Sequence, residues 1–247
     1  MHEFISLHFN TIDSTNTYAK AHAKTFDPKK ITCITADEQT AGRGRFQREW
    51  KSPKGVNLYA TFCFQLPLQT LHLNSLAQLM AASLAALLIK EGLHPKIKWP
   101  NDIQLNNKKL SGILCETSFQ NGIAQIFLGI GINVNMEPSD LNEIDQPATS
   151  LKQETHRSWN RPELLEKLQK QFLHDLSLFK SKGFTPFHSL FENLLAHKGE
   201  QIRCFDGKKT WVGICHSLTM DGQLNIYLPD KSMHTITSGD IESSSLR

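Results

Sequence analysis

The side chains best equipped for chemistry lie within residues 36–50, ADEQTAGRGRFQREW. Arg43, Arg45 and Arg48 stand around two glycines, Gly42 and Gly44, with Trp50 just behind them. A guanidinium stays charged and forks onto carboxylate or phosphate oxygens. Glycine admits positive φ and lets a ligand come close to backbone amides. An indole offers a flat face for stacking a heteroaromatic ring. The combination suits a small anionic ligand that carries a flat base. Two plainer readings compete: a solvated basic turn, or a fragment of an arginine–glycine RNA-binding segment. Segments of the second kind are repetitive and low in complexity, whereas this run occurs once, between strand-like runs at 31–36 and 56–64.

Other chemistries find no footing. There is no HExxH and no CxxC pair for zinc, no GxxxxGK[ST] loop and no third glycine for a dinucleotide fold. No nucleophile with a base at useful spacing stands out. The formal charge of +3 is too small to argue for nucleic acid. With 39% hydrophobic and 21% charged residues, the 247-residue chain reads as an ordinary soluble protein, one large domain or one domain with an appendage. Five cysteines are an odd, scattered set. Cys33, Cys63 and Cys115 sit in apolar strand-like runs and read as buried thiols of a reducing compartment. No signal peptide is visible, and the apolar run at 76–89, which includes Gln78 and Ser83, is shorter than a bilayer span and reads as a core helix. A cytoplasmic protein without a membrane partner is expected.

The elements that must hold the arginine stretch follow from periodicity. Residues 5–9 alternate as a half-buried strand, and Asp13 or Ser14 can cap the helix continued by the alanines near 19–21. Ser14, Thr15 and Asn16 either satisfy the first helical amides or bind a neutral polar ligand group. Residues 96–103 form a strand broken at Pro100, and 106–109 a hairpin tip, which makes exposure the plain reading of Lys108 and Lys109. Asn121-Gly122 is a hairpin turn. In the strand after it, Leu128, Ile130, Ile132 and Val134 occupy one face, while Gly129, Gly131, Asn133 and Asn135 leave bare backbone and amides on the other, against a packed helix or a ligand, the asparagines favouring a ligand. Residues 136–156 read as loop. Asn160 caps a long helix with the stripe Leu165, Leu168, Phe172, Leu176 and Phe179, ended by Gly183, and a further helix is expected near 187–197. Beyond residue 198, short strands at 201–205, 210–218, 224–228 and 233–237 alternate with turns and predict a small β module.

Five motifs, in order, resemble the biotin–protein ligase family: Ser14-Thr15-Asn16; Gln39 with Gly42-Arg43-Gly44-Arg45, Arg48 and Trp50; Lys98-Trp99-Pro100-Asn101-Asp102; Lys109-Leu110-Ser111-Gly112-Ile113; and Gly129-Ile130-Gly131-Ile132-Asn133. The resemblance implies an α+β fold: a class II aminoacyl-tRNA-synthetase-like mixed sheet with helices over residues 1–198, and an SH3-like β-barrel over 199–247. It implies that biotin and Mg2+-ATP give biotinyl-5′-AMP and pyrophosphate, and that a lysine of a biotin carboxyl carrier domain takes the biotinyl group. Matched motif by motif, Arg45 and Lys109 fall at the carboxylate–phosphate centre. Ser14, Thr15, Asn16 and Gln39 fall on the ureido side, and Gly42, Arg43, Gly44, Gly112, Gly129 and Gly131 around the bicycle and its chain. Arg48, Trp50, Asn101, Lys109 and Asn133 fall at the ATP, with Trp50 over the adenine. Asp102 would help arrange the phosphate or acceptor region.

Three departures stand out. No residues precede the first strand that could form a helix-turn-helix, so DNA binding is not expected. Gln47 stands where many members have glycine, and residues 239–243 keep only the start of a common closing pattern. A lipoate or octanoate ligase of the same fold is the nearest alternative, though a lipoyl chain has no ureido group for Ser14 and Gln39. A non-catalytic binder would not need both Arg45 and Lys109. Family members occur as monomers and as dimers, so a homodimer is possible.

Overall fold

The computed structural model describes residues 4–70 and 72–243. Its first part runs β1 (Phe4–Phe9), α1 (Thr15–His22), β2 (Ile31–Ala36), β3 (Leu58–Pro67), α2 (Leu76–Lys90), β4 (Lys96–Lys98), β5 (Asp102–Leu105), β6 (Lys108–Gln120) and β7 (Ile123–Ile132). Two short helices, α3 (Pro138–Leu141) and α4 (Leu151–Thr155), lead to α5 (Arg161–Lys182) and α6 (Thr185–Asn193). The second part consists of β8 (Gln201–Phe205), β9 (Thr210–Leu218), β10 (Leu224–Tyr227), β11 (Met233–Ile236) and β12 (Asp240–Ser243).

The seven-stranded sheet has the order β1-β2-β3-β7-β6-β5-β4, and only β1 and β2 pair in parallel. Its central strands, β3 and β7, alternate two kinds of packing. Phe62 and Phe64 point to α5, where their rings meet Phe172 at 5.2 and 6.0 Å between centroids. Leu128, Ile130, Ile132 and Val134 join the same core, as the period of two requires. The opposite face carries Cys63 and Phe127 against Ala19 of α1, and beyond them the bare positions Gly129 and Gly131. The α2 helix is the expected core helix. With its preceding turn it is long and apolar enough to cross a membrane, and 67% of that stretch is buried in the fold.

Several boundaries differ from the sequence reading. The stripe of α5 is Leu164, Leu168, Phe172, Leu176 and Phe179, with Leu164 in place of Leu165. The run at 136–156 contains α3 and α4, four and five residues long and too short to show a helical period. The final strand, β12, escaped notice; it is four residues long and closes the five-stranded sheet, ordered β11-β10-β9-β8-β12, by pairing with β8. The turn Asp221-Gly222 plugs this second sheet into the first part. Ser75 donates to the Asp221 carbonyl at 2.7 Å, while Gln78 and the Trp99 indole donate to the Gly222 carbonyl at 2.6 and 2.9 Å.

Candidate active site

Two backbone loops deliver the first part of the site. The amide of Ile12 donates to the Glu38 carbonyl, and Thr40 and Ala41 donate back to Ile12 and Asp13. This stitching sets Gln39 beside the start of α1. Ser14 caps α1, its hydroxyl accepting from the Thr17 amide at 3.4 Å. The Thr15 amide and hydroxyl both donate to Gln39 Oε1, at 3.0 and 3.1 Å, and Gln39 Nε2 donates to Ser52 Oγ at 3.1 Å. Asn16 is spent inward. Its amide donates to Glu116 at 3.0 Å and to the Leu114 carbonyl at 3.4 Å, and its oxygen lies 2.6 Å from the Thr61 hydroxyl. A Cβ at Gly129 would stand 2.5 Å from Asn16 Oδ1, so this glycine makes room for an asparagine of the chain. Burial works against ionisation of Glu116, but hydrogen bonds from Lys20 and Asn16 outweigh it and hold its carboxyl below the usual range.

The arginine stretch is a hairpin-like loop. The Trp50 amide donates to the Gly42 carbonyl at 2.9 Å and Gly44 to Arg48 at 2.7 Å. Gly42 does not take positive φ; an added Cβ would meet Ser52 Oγ at 2.6 Å and the Trp50 carbonyl at 2.7 Å, so close packing demands it. Gly44, at φ −106°, has the nearest such neighbour at 3.8 Å. The left-handed turn is made instead by Phe46 and Gln47, at φ 55° and 59°. Glycine at position 47 would therefore suit the backbone without strain.

The cations then divide their partners. Arg43 donates to Thr17 Oγ1 at 3.0 Å, and its buried Nε has no partner. Arg45 reaches across to the second sheet, donating to the Gly239 carbonyl at 2.7 Å, to Ser238 Oγ at 3.1 Å and to Asn101 Oδ1 at 3.3 Å. Arg48 pairs with Asp240 at 2.6 Å. Lys109, the second residue of β6, is not an exposed hairpin tip: it pairs with Asp102 at 2.7 Å, both side chains being less than a fifth exposed. Lys108 beside it is exposed. Burial draws the Arg45 guanidinium below its ordinary range, opposed by Asp240 and Asp102.

These groups line a cleft with a tight floor of about 90 Å³ and an adjoining chamber of about 490 Å³. Of the residues singled out in the sequence, Ser14, Thr15, Asn16, Gln39, Arg43, Gly44, Arg45, Arg48, Trp50, Asn101, Asp102, Lys109, Gly112, Gly129 and Gly131 all line the first space. Gly42 is buried in the stem of the loop and does not line that space. Asn133 lines the chamber with Arg48, Trp50 and Lys109, and its amide is bound to the Thr149 carbonyl at 3.0 Å. Asn135, read as facing a ligand, is bonded to the backbone of Trp159 on both sides. The floor is tight because Trp50 fills it. Cβ atoms at Gly131 and Gly112 would stand 2.5 and 3.0 Å from its ring, and its Nε1 is buried without a partner. Lys109 Nζ lies 5.5 Å from the indole centroid.

Glu116 and Thr61, which bind Asn16, and Ser52, which binds Gln39, were missed in the sequence, as was the pairing of Asp240 with Arg48. The first three lie outside recognisable patterns, Asp240 lies in the closing segment 239–243, and only the fold brings all four in. Chemically, the cleft has hydrogen-bonding amides with Arg43 at one end, Arg45, Arg48 and Lys109 at the other, and bare glycines along its lining. It can bind a neutral polar head and bring two anions together.

The chain matches the biotin/lipoate A/B protein ligase family over residues 8–133. It is 32% identical over 242 residues to the bifunctional ligase/repressor BirA of Bacillus subtilis, covering 96% of this chain and 73% of that one. It is 31% identical to the biotin–[acetyl-CoA-carboxylase] ligase of Paracoccus denitrificans over 77% of this chain and 82% of the other. Among solved structures, the Aquifex aeolicus biotin protein ligase in complex with biotin and ATP superposes with a TM-score of 0.79 at 30% identity, covering 96% and 97% of the two chains. The chain belongs to the biotin/lipoate A/B protein ligases, and within them to the biotin–protein ligases, with their class II synthetase-like α+β fold.

Proposed function

We propose that this chain activates biotin with ATP as biotinyl-5′-AMP and passes the biotinyl group to one lysine of a biotin carboxyl carrier domain in the cytoplasm. The observation that carries this reading is the Lys109–Asp102 pair in one cleft with Arg45, Arg48 and the bare glycines Gly112, Gly129 and Gly131. In the first step a biotin carboxylate oxygen attacks the α-phosphorus and pyrophosphate leaves. Two anions must meet, and clustered cations lower that barrier. Lys109, steered by Asp102, would hold the oxygens shared between carboxylate and α-phosphate, with Arg45 beside it and Arg48 toward the pyrophosphate. In the second step the lysine ε-amine attacks the biotinyl carbonyl carbon. The C–N bond forms, the C–O bond to phosphate breaks, AMP departs and the amine proton passes to solvent. Thr15 and Gln39 would hold the ureido head, and Asn101 and Asn133 would border the nucleotide.

Mg2+ would arrive with the triphosphate and neutralise its oxygens. Among the described residues no cluster of three His, Cys, Asp or Glu side chains forms a metal site of its own, which suits an ion held mainly by phosphates with one or two carboxylates. Asp102 is the carboxylate beside Lys109 that fits this part.

The test is pyrophosphate release from Mg2+-ATP by the purified protein, without acceptor, supplied with biotin or lipoate. A burst near one equivalent with biotin alone is expected. Release with lipoate alone would move the chain to the lipoate branch, and no release with either would reduce the cleft to a binding site.

A further inference from the structure

The outer face of the second sheet departs from the usual division of a one-sided sheet into a buried apolar face and a polar surface. Ile202, Cys204, Cys215, Leu224, Ile226, Ile236 and Ile241 fill its inner face. On the outer face the register places Ile214 opposite Tyr227, and Tyr227 opposite Met233, while Val212 lies two residues before Ile214 and diagonally across from Phe205 of β8. The Phe205 ring lies 6.4 Å from that of Phe46 at the tip of the arginine loop. These six side chains are between 37% and 49% exposed, and they are six of the eleven exposed large hydrophobics among the described residues. They form one row that crosses four strands and ends at the mouth of the cleft.

We propose that this row is the docking surface for the protein that accepts the biotinyl group, deepening the ligase reading on which it rests. The first argument is continuity. A groove of about 320 Å³ lies at the end of the row, and Phe46, Arg48 and Asp240 line both this groove and the catalytic cleft. A partner seated on the row is already at the place where an amine must enter. Size is the second. Strands about 4.8 Å apart make a row of four strands roughly 15 Å wide, the scale of a folded partner and not of a metabolite. Charge is the third. Arg203, directly opposite Val212 on β9 and Glu242 on β12, is exposed and lines the groove, where Arg48 is paired with Asp240. The complementary surface is an apolar patch with acidic residues near the acceptor lysine.

The experiment measures biotin transfer to a purified biotin carboxyl carrier domain by the full chain carrying Ile214→Glu with Tyr227→Thr, and separately Arg203→Glu. Pyrophosphate release and capture of the biotinyl group by hydroxylamine, a small nucleophile that needs no docking, are followed in parallel. The expected result is at least a tenfold rise in KM for the carrier, with both other readouts unchanged. Phe119→Asp, at another exposed apolar position, should leave all three unchanged. An unchanged carrier KM in both variants would overturn the assignment. So would a dimer of the unsubstituted chain that the double variant turns into monomers while carrier KM stays the same, since the row would then belong to a second copy. If the unsubstituted protein releases no pyrophosphate with biotin, the ligase reading itself fails and this inference falls with it.

Discussion

A lysine ammonium held 2.7 Å from a carboxylate inside a cleft is positioned at a cost: each charge has lost water and depends on the other. Lys109→Gln should therefore do more than remove a cation, because it leaves Asp102 unpaired. We expect adenylate formation to fall at least 100-fold, about 2.7 kcal/mol of transition-state stabilisation, in protein whose circular dichroism is unchanged; activity within threefold of the parent would remove Lys109 from the assigned centre. Gly42 and Gly44 make a paired test at the same scale. Gly42→Ala drives a methyl against Ser52 and the Trp50 carbonyl, at about 1–3 kcal/mol, whereas Gly44→Ala has open space; equal shifts in urea midpoint would contradict the packing. Glu116 gives a pH signature. Its folded pKa is lowered, so its contribution is present above the unfolded value and fades as pH falls through the folded one. Melting curves of Glu116→Gln should lose part of the parent's decline below pH 5, and parallel curves would argue against the Lys20–Asn16–Glu116 cluster. The identities of the cleft residues were legible in the sequence because charge, amide and glycine announce their chemistry. Their commitments were not. Asn16 and Asn135 read as ligand groups, yet both are bound to the chain, since nothing in a sequence says which backbone carbonyl will come to face an amide.

At the scale of elements, the arginine loop rests on two non-glycine residues in left-handed geometry. The side-chain penalty there is about 1–2 kcal/mol per residue, partly offset by the greater entropy a glycine loses on folding. Gln47→Gly should accordingly raise thermal stability slightly, and a fall of several degrees by calorimetry would show that the Gln47 side chain contributes more than its backbone costs. Strand β7 was legible for the opposite reason: one face is all branched or apolar and the other is glycine and amide, so only one orientation buries it well. Strand β12 and helices α3 and α4 had no such contrast. Elements of four or five residues are fixed by their partners, β8 in the first case and capping side chains in the others.

At the scale of the molecule, the second sheet meets the first part along α6, where Leu218 bonds to His188 and Glu192, and at two further joints. Gly222, at φ 83°, sits under Gln78 and Trp99, and Ser238, Gly239 and Asp240 sit under the arginine loop. The first is structural. The second touches cations assigned to the reaction, so the β module would influence how readily the loop moves. Asp240→Ala should free Arg48 and speed chymotryptic cleavage at the exposed Phe46 in protein without ligand; an unchanged cleavage rate would mean that Arg45 alone holds the tip. The module's existence could be read from turns and alternation, and its closing segment 239–243 stood out, but the partners of this second joint could not be read, because a backbone carbonyl and a serine hydroxyl carry no signal of which arginine will meet them.

Among the four tryptophans, three indole N–H groups are bonded: Trp99 to Gly222, Trp159 to Thr155 and Trp211 to Asp206. Trp50 alone is dark to hydrogen bonding, buried against Gly112 and Gly131 with a lysine nearby. A ligand that settles on those glycines has to evict the indole into a wetter setting. Under the proposed assignment of the cleft to the ligand, Trp50 emission should change as the cleft fills, with no label attached.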